Sequence, residues 1–126
     1  MPVSVPASLV LTVCLSYGSR LDVVSACRSL CADASAGALL PSSVSEALFS
    51  DALSSGNRGR AGGGRTPDPE IVVRTGGERR LSNFMLWEAA YSELFFLDKN
   101  WPDVTKDDFI AVWDEYRRGR NKRIGR

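Results

Sequence analysis

From residue 74 to residue 93 the chain reads Arg-Thr-Gly-Gly-Glu-Arg-Arg-Leu-Ser-Asn-Phe-Met-Leu-Trp-Glu-Ala-Ala-Tyr-Ser-Glu. Three arginines, two adjacent glycines, a Ser-Asn pair and three carboxylates in one short stretch have the makings of an anion site. The guanidinium groups of Arg74 and Arg80 are planar, permanently charged forks that match phosphate oxygens two at a time. Gly76-Gly77 gives the backbone freedom to bring amide groups close to an anion. Ser82 or Asn83 can cap a following helix, whose N-terminus would add its partial positive charge. Glu93, at the far end, offers a carboxylate oxygen to a hard cation such as Mg²⁺. The competing arrangement pairs Arg74 with Glu78, leaves Arg80 solvated and lets the glycines only turn the chain.

These residues need a frame. Pro67-Asp-Pro69 introduces Ile71-Val-Val73, a short apolar run that predicts a strand. In parallel sheets ligands gather outside the carboxyl ends of the strands, where this polar cluster begins. Upstream, Leu9 to Leu15 is almost continuously apolar, the pattern of a strand buried on both faces. Ser19 with Asp22 signals a helix start, and Leu21, Val24, Cys27 or Arg28, and Cys31 follow helical spacing to about Ala34. Ser43 with Glu46 predicts a second helix, carrying Val44, Leu48 and Phe49 and ending near Leu53. Phe84, Trp87 and Tyr91 predict an aromatic helix after the polar cluster, and Leu94 to Leu97 a third strand. Thr105 with Asp108 opens a last helix with Phe109, Val112, Trp113 and Tyr116 on one stripe. Strands alternating with helices give an α/β class, a parallel sheet flanked by helices.

The 126 residues suit one domain, with a composition that is ordinarily globular and names no function. Six of the sixteen basic residues and none of the fifteen acids fall in residues 117–126, so residues 1–116 carry a net −5 and the tail is a basic hook. Residues 54–66 hold five glycines and three arginines with too little apolar surface to fold alone, which predicts a flexible surface loop. That loop and the tail raise RNA binding as an option, but no RNA-recognition motif or stacking platform supports a nucleic-acid partner. Cys14, Cys27 and Cys31 read as small apolar residues in a reducing compartment, the last two on the buried face of their helix. With no histidine and no CxxC pair, the chain offers no zinc site. No apolar run reaches bilayer-spanning length and no signal-peptide pattern opens the chain, so it is expected in the cytoplasm or peripheral to a membrane.

The string Arg74-Thr-Gly-Gly-Glu-Arg-Arg-Leu-Ser-Asn-Phe-Met-Leu-Trp87, continuing through Tyr91-Ser-Glu93 to Trp101-Pro102, closely resembles the signature of the cis-prenyltransferases, the undecaprenyl and dehydrodolichyl diphosphate synthases. Leu15-Ser-Tyr-Gly-Ser-Arg-Leu-Asp22 is similar to their Asn-Tyr-Gly-Gly-Arg-x-Asp segment, with Ser16 and Ser19 replacing Asn and the second Gly, and Arg123-Ile-Gly125 to their C-terminal Arg-x-Gly. The resemblance covers most of the chain except the glycine-rich loop. It implies that Arg74, Arg80 and Ser82 hold the diphosphate of isopentenyl diphosphate, that Glu78 orients the arginines and that Glu93 helps with Mg²⁺. Arg123 and Gly125 would reach a partner's substrate diphosphate across a dimer interface. The implied reaction condenses isopentenyl diphosphate onto an allylic diphosphate such as farnesyl diphosphate, for dolichol or undecaprenol-type polyprenols. The implied assembly is a homodimer or a heteromer with a second prenyltransferase subunit, peripheral at the endoplasmic reticulum membrane if eukaryotic.

Full members of that family are longer and carry an N-terminal His-x-x-x-x-Met-Asp-Gly-Asn-x-Arg motif whose aspartate serves Mg²⁺ and allylic diphosphate. This chain has no Asp-Gly and no histidine. Residues 1–126 are therefore expected to form a partial, C-terminal portion of the prenyltransferase domain, inactive alone. Two explanations stand: a piece of a longer synthase, or a short subunit contributing half a site. A non-catalytic subunit that stabilises a partner synthase is the alternative function, although such partners generally lack the Arg-Thr-Gly-Gly-Glu string.

Overall fold

The computed structural model describes residues 11–53 and 67–119. The glycine-rich loop 54–66, and Arg123 and Gly125 of the tail, lie outside the described residues. Among the described residues three α-helices, two strands and three short 3₁₀ turns follow one another: α1 (Ser19–Ser35), α2 (Glu46–Ala52), β1 (Ile71–Arg74), β2 (Glu93–Phe96) and α3 (Lys106–Gly119), with 3₁₀ turns at Pro41–Ser43, Glu88–Tyr91 and Trp101–Asp103. β1 and β2 pair in parallel, Ile71 opposite Glu93 and Arg74 opposite Phe96. The α/β class with a parallel sheet holds.

Each helix start has a physical cause. The Thr105 amide and hydroxyl both donate to Asp108 Oδ2 at 2.8 Å, the capping box expected at α3. In α2 the cap is Ser45, whose Oγ accepts from the Leu48 amide at 3.2 Å. It falls two residues beyond the expected Ser43 because Pro41–Ser43 is taken up by a 3₁₀ turn. At α1 the N-cap position is Gly18, which has no side chain to serve the first amides; they are satisfied from elsewhere in the chain.

The core is small and divided. Ala26 and Leu30 of α1 lie buried with Leu53, where α1 packs on α2, while Val112 and Tyr116 of α3 and Ala89 of the crossover form the rest. Phe49 and Trp87 pack with tilted rings, centroids 4.6 Å apart, and Trp87 Nε1 donates to the buried Ser50 Oγ at 2.9 Å, tying the β1–β2 connection to α2. Among the described residues no helix is long and apolar enough to cross a membrane.

Several expectations are corrected. Leu11, Val13 and Leu15 are exposed and the described part of the Leu9–Leu15 run forms no strand. A strand apolar on both faces needs paired neighbours and two covering layers, and the sheet among the described residues is the β1–β2 pair. The inward face of α1 is Ser19, Asp22, Ala26 and Leu30, not the Leu21, Val24, Cys31 face, and Cys14, Cys27 and Cys31 are all exposed. The aromatic helix after the polar cluster shrinks to the Glu88–Tyr91 turn. Ser82, Asn83 and Met85 have φ of 49°, 63° and 45°, left-handed backbone that a right-handed helix cannot contain. On α3, Val112 and Tyr116 are buried whereas Phe109 and Trp113 stay half exposed.

Candidate functional site

The carboxyl end of β1 is built by backbone hydrogen bonds. The Leu97 amide donates to the Arg74 carbonyl at 2.8 Å, continuing the ladder past β2. The chain then turns through Gly76 and Gly77, with φ of 90° and 75°, values that a residue with a Cβ adopts only at a cost. Both glycine amides are spent inside the protein: Gly76 N–H donates to the Lys99 carbonyl at 2.8 Å and Gly77 N–H to the Leu97 carbonyl at 3.0 Å. The expectation that these amides face an anion is corrected. Their function is to sew the loop after β1 to the loop after β2.

Against this floor four of the expected residues meet, in two side-chain pairs joined through the Arg80 carbonyl. Arg74 Nη1 donates to the Arg80 carbonyl and, at 2.6 Å, to Ser82 Oγ. Glu78 pairs with Arg80, Oε2 to Nη1 at 2.5 Å, rather than with Arg74. Both partners of that pair are more than half exposed, so it contributes under about 1 kcal/mol and yields easily to a ligand. Arg74, Glu78, Arg80 and Ser82 thus share one loop mouth. Arg79 turns elsewhere, into a groove of about 270 Å³ with Leu94–Leu97 and Asp108, Ala111, Val112 and Glu115 of α3.

Glu93 is not in that cluster. The register puts it opposite Ile71 at the amino end of β2, three rungs from the Arg74–Phe96 pair, or roughly 10 Å along the strand. Its carboxylate instead lies against the end of α3, where a Cβ on Gly119 would come within 3.3 Å of Oε2. Among the described residues no group of three or more His, Cys, Asp or Glu side chains is placed to hold a metal ion.

A residue whose role the sequence reading missed connects this loop to α1. Neither Ser82 nor Asn83 caps a helix of its own; Asn83 caps α1 from 63 residues away. Its carbonyl accepts from Ser19 N–H at 2.8 Å and its Oδ1 from Arg20 N–H at 2.8 Å. Ser19, buried, returns the contact by accepting from the Leu86 amide on Oγ at 3.0 Å. The signal available in the sequence was Gly18 at a helix start, a cap position with nothing to cap with. Tyr17 packs edge-on against Phe84 at 5.7 Å. Burial pushes its phenol above the ordinary range, helped by the charges of Glu88 and Asp22.

Lys99 plays a second linking part. While its carbonyl holds Gly76, its Nζ reaches Asp108 Oδ1 at 2.8 Å and Oδ2 at 3.0 Å. That ammonium, followed by the Thr105 amide and hydroxyl, holds the Asp108 carboxyl down to about 2.

Residues 4–125 match the prenyltransferase family model described as undecaprenyl diphosphate synthase. The isoprenyl transferase of Brucella suis is 46% identical over 91% of this chain and 42% of its own length. The decaprenyl diphosphate synthase of Mycolicibacterium smegmatis is 40% identical over 94% of this chain and 37% of its own. The solved structure of lavandulyl diphosphate synthase from Lavandula x intermedia, in complex with dimethylallyl diphosphate, is 34% identical with a TM-score of 0.73, covering 82% of this chain and 41% of that one. The chain therefore spans about two fifths of the length of these relatives. A match along nearly the whole chain, in sequence and in fold, means that it belongs to the cis-prenyltransferase family of isoprenyl transferases and polyprenyl diphosphate synthases.

Proposed function

We propose that this chain supplies the isopentenyl diphosphate half of a cis-prenyltransferase site. The observation that carries the proposal is the convergence of Arg74 with the Arg80 loop and Ser82 at the carboxyl end of β1. Arg74 makes its bonds there with neutral oxygens, so a diphosphate can take over a fork that is already aimed. Ser82, accepting from Arg74, has its own proton to donate to a phosphate oxygen. Arg80 joins when the exposed Glu78 pair opens. That a relative of this fold was solved with dimethylallyl diphosphate supports a diphosphate ligand.

In the reaction the allylic carbon–oxygen bond breaks, releasing diphosphate. The π electrons of isopentenyl diphosphate form the new carbon–carbon bond, and a proton leaves the adjacent carbon to give a cis double bond. The task of this chain is positional and electrostatic: to hold one poly-anion in line for attack. Polyprenols of the dolichol or undecaprenol type are the proposed products. Arg123 and Gly125 of the tail are proposed to reach the substrate diphosphate in a partner subunit, in a homodimer or a heteromer. The place of work is the cytoplasm, or the surface of the endoplasmic reticulum membrane in a eukaryote.

Mg²⁺ would neutralise the departing diphosphate when bound. Glu93 is the carboxylate proposed for it, and its distance from Arg74 along β2 means that this chain does not assemble the ion's site from its own described residues. The remaining ligands would come from substrate oxygens and from residues outside the described ones. A non-catalytic subunit that stabilises a partner synthase is the second reading. Calorimetric titration of isopentenyl diphosphate onto the chain separates the readings: Arg74→Ala with Arg80→Ala abolishes binding if the diphosphate sits here, and unchanged affinity overturns the proposal.

A further inference from the structure

We propose that Asn83 is a positioning residue, which sets Ser82 and the Arg80 carbonyl against Arg74 by anchoring their loop to the N-terminus of α1. The inference rests on the diphosphate reading of Arg74 and Ser82. Three consecutive features of the fold carry it. The loop is costly to form, since Ser82 and Met85, on either side of Asn83, occupy left-handed backbone, where a residue other than glycine or asparagine is held only by its surroundings. The surroundings are α1: Asn83 accepts from Ser19 and Arg20 through both its carbonyl and its side chain, and Leu86 donates to Ser19 Oγ. Ser82, the residue next to Asn83, carries the hydroxyl that Arg74 holds at 2.6 Å. A shift of Asn83 therefore moves the Ser82 hydroxyl out of line with the guanidinium.

The α1 side is fitted to this anchor. Gly18 has φ −151°, extended backbone open to any residue, so its own conformation does not call for glycine. Space does: a Cβ there would come within 2.8 Å of Asn83 Nδ2. The amide cannot swing away without giving up the Arg20 hydrogen bond, because both ends belong to one planar group. The pair Gly18 and Asn83 is thus a lock whose two halves lie 65 positions apart, and neither touches the proposed ligand oxygens.

The test uses the full 126-residue chain and inorganic pyrophosphate as probe, followed by calorimetry and by the side-chain Nε–Hε resonance of Arg74. Asn83→Ala and Gly18→Ala are expected to weaken pyrophosphate binding about fivefold, the ratio corresponding to a lost helix cap of typical strength, and to shift the Arg74 resonance. Asn83→Asp keeps the acceptor oxygen and tolerates the left-handed backbone, and is expected to restore both readouts to within twofold. Asn83→Gly, which accepts the backbone without strain but lacks the cap, separates the two contributions and serves where the alanine variant fails to fold; it too should bind weakly. Arg74→Ala is the control: loss of binding there with full binding in Asn83→Gly and Gly18→Ala overturns the positioning role alone. Unchanged binding in Arg74→Ala overturns the diphosphate reading on which it rests.

Discussion

Arg74 and Ser82 are joined side chain to side chain by a 2.6 Å hydrogen bond across the mouth of β1. One comes from a strand and the other from a left-handed loop, so the bond fixes a charge and a hydroxyl relative to the sheet. Arg74→Lys keeps the charge but loses the second arm of the fork. It is expected to weaken isopentenyl diphosphate binding about tenfold to a hundredfold, the range for hydrogen bonds to charged groups. In a double-mutant cycle with Ser82→Ala, calorimetry should show the two losses to be non-additive; simple additivity would mean that the residues bind independently.

Gly76 and Gly77 differ from ordinary loop glycines in that both have positive φ while a Cβ would meet only ordinary contacts, 3.8 Å to Asn100 Oδ1 and 3.7 Å to Asp98 Oδ1. Alanine there is opposed by backbone conformation and not by crowding. Each substitution should destabilise the chain by about 1–2 kcal/mol, read as a lower urea midpoint, and Gly76→Asn should recover part of the loss because asparagine tolerates that region.

Asp108 ties Lys99 to the first turn of α3, and its carboxyl is held from 3.8 down to about 2, chiefly by the Lys99 hydrogen bond. The folded state therefore binds this proton less tightly than the unfolded chain. Its contribution to stability is full above about pH 4 and is lost as the pH falls through 2. Asp108→Asn should flatten the acid limb of the unfolding curve in that window while leaving its slope above pH 5 unchanged.

Trp87 and Ser50 form the polar clasp between the crossover and α2. Trp87→Phe keeps most of the ring contact with Phe49 but leaves the buried Ser50 hydroxyl without its donor, a cost of about 1–3 kcal/mol. Adding Ser50→Ala should return part of that stability in chemical denaturation, since removing both polar groups is cheaper than removing one.

Purified chain incubated with farnesyl diphosphate, labelled isopentenyl diphosphate and Mg²⁺ should give no long-chain product. The described residues hold the cluster proposed for a diphosphate but no group of three or more carboxylate, His or Cys side chains placed for a metal ion, and the chain spans two fifths of the length of its relatives. Chain elongation without an added polypeptide, detected by thin-layer radiography, would contradict this.

Local chemistry in the sequence determined the α/β class, the β1 and β2 strands, the Thr105–Asp108 capping box and the gathering of Arg74, Glu78, Arg80 and Ser82, because each depends on residues within a few positions of one another. Periodicity also promised a helix at Phe84–Tyr91 and a buried strand at Leu9–Leu15, and both fail for want of information held elsewhere. Left-handed backbone at Ser82, Asn83 and Met85 is stabilised by the start of α1, and burial of Leu11, Val13 and Leu15 requires neighbours that the described residues do not supply. Tertiary structure alone decided that Asn83 caps a helix 63 residues distant, that the Gly76 and Gly77 amides are consumed by the loop after β2, and that Glu93 stands at the opposite end of the sheet from Arg74. Hydrogen bonds between distant segments leave no spacing pattern in a sequence; they exist only once the chain has closed on itself.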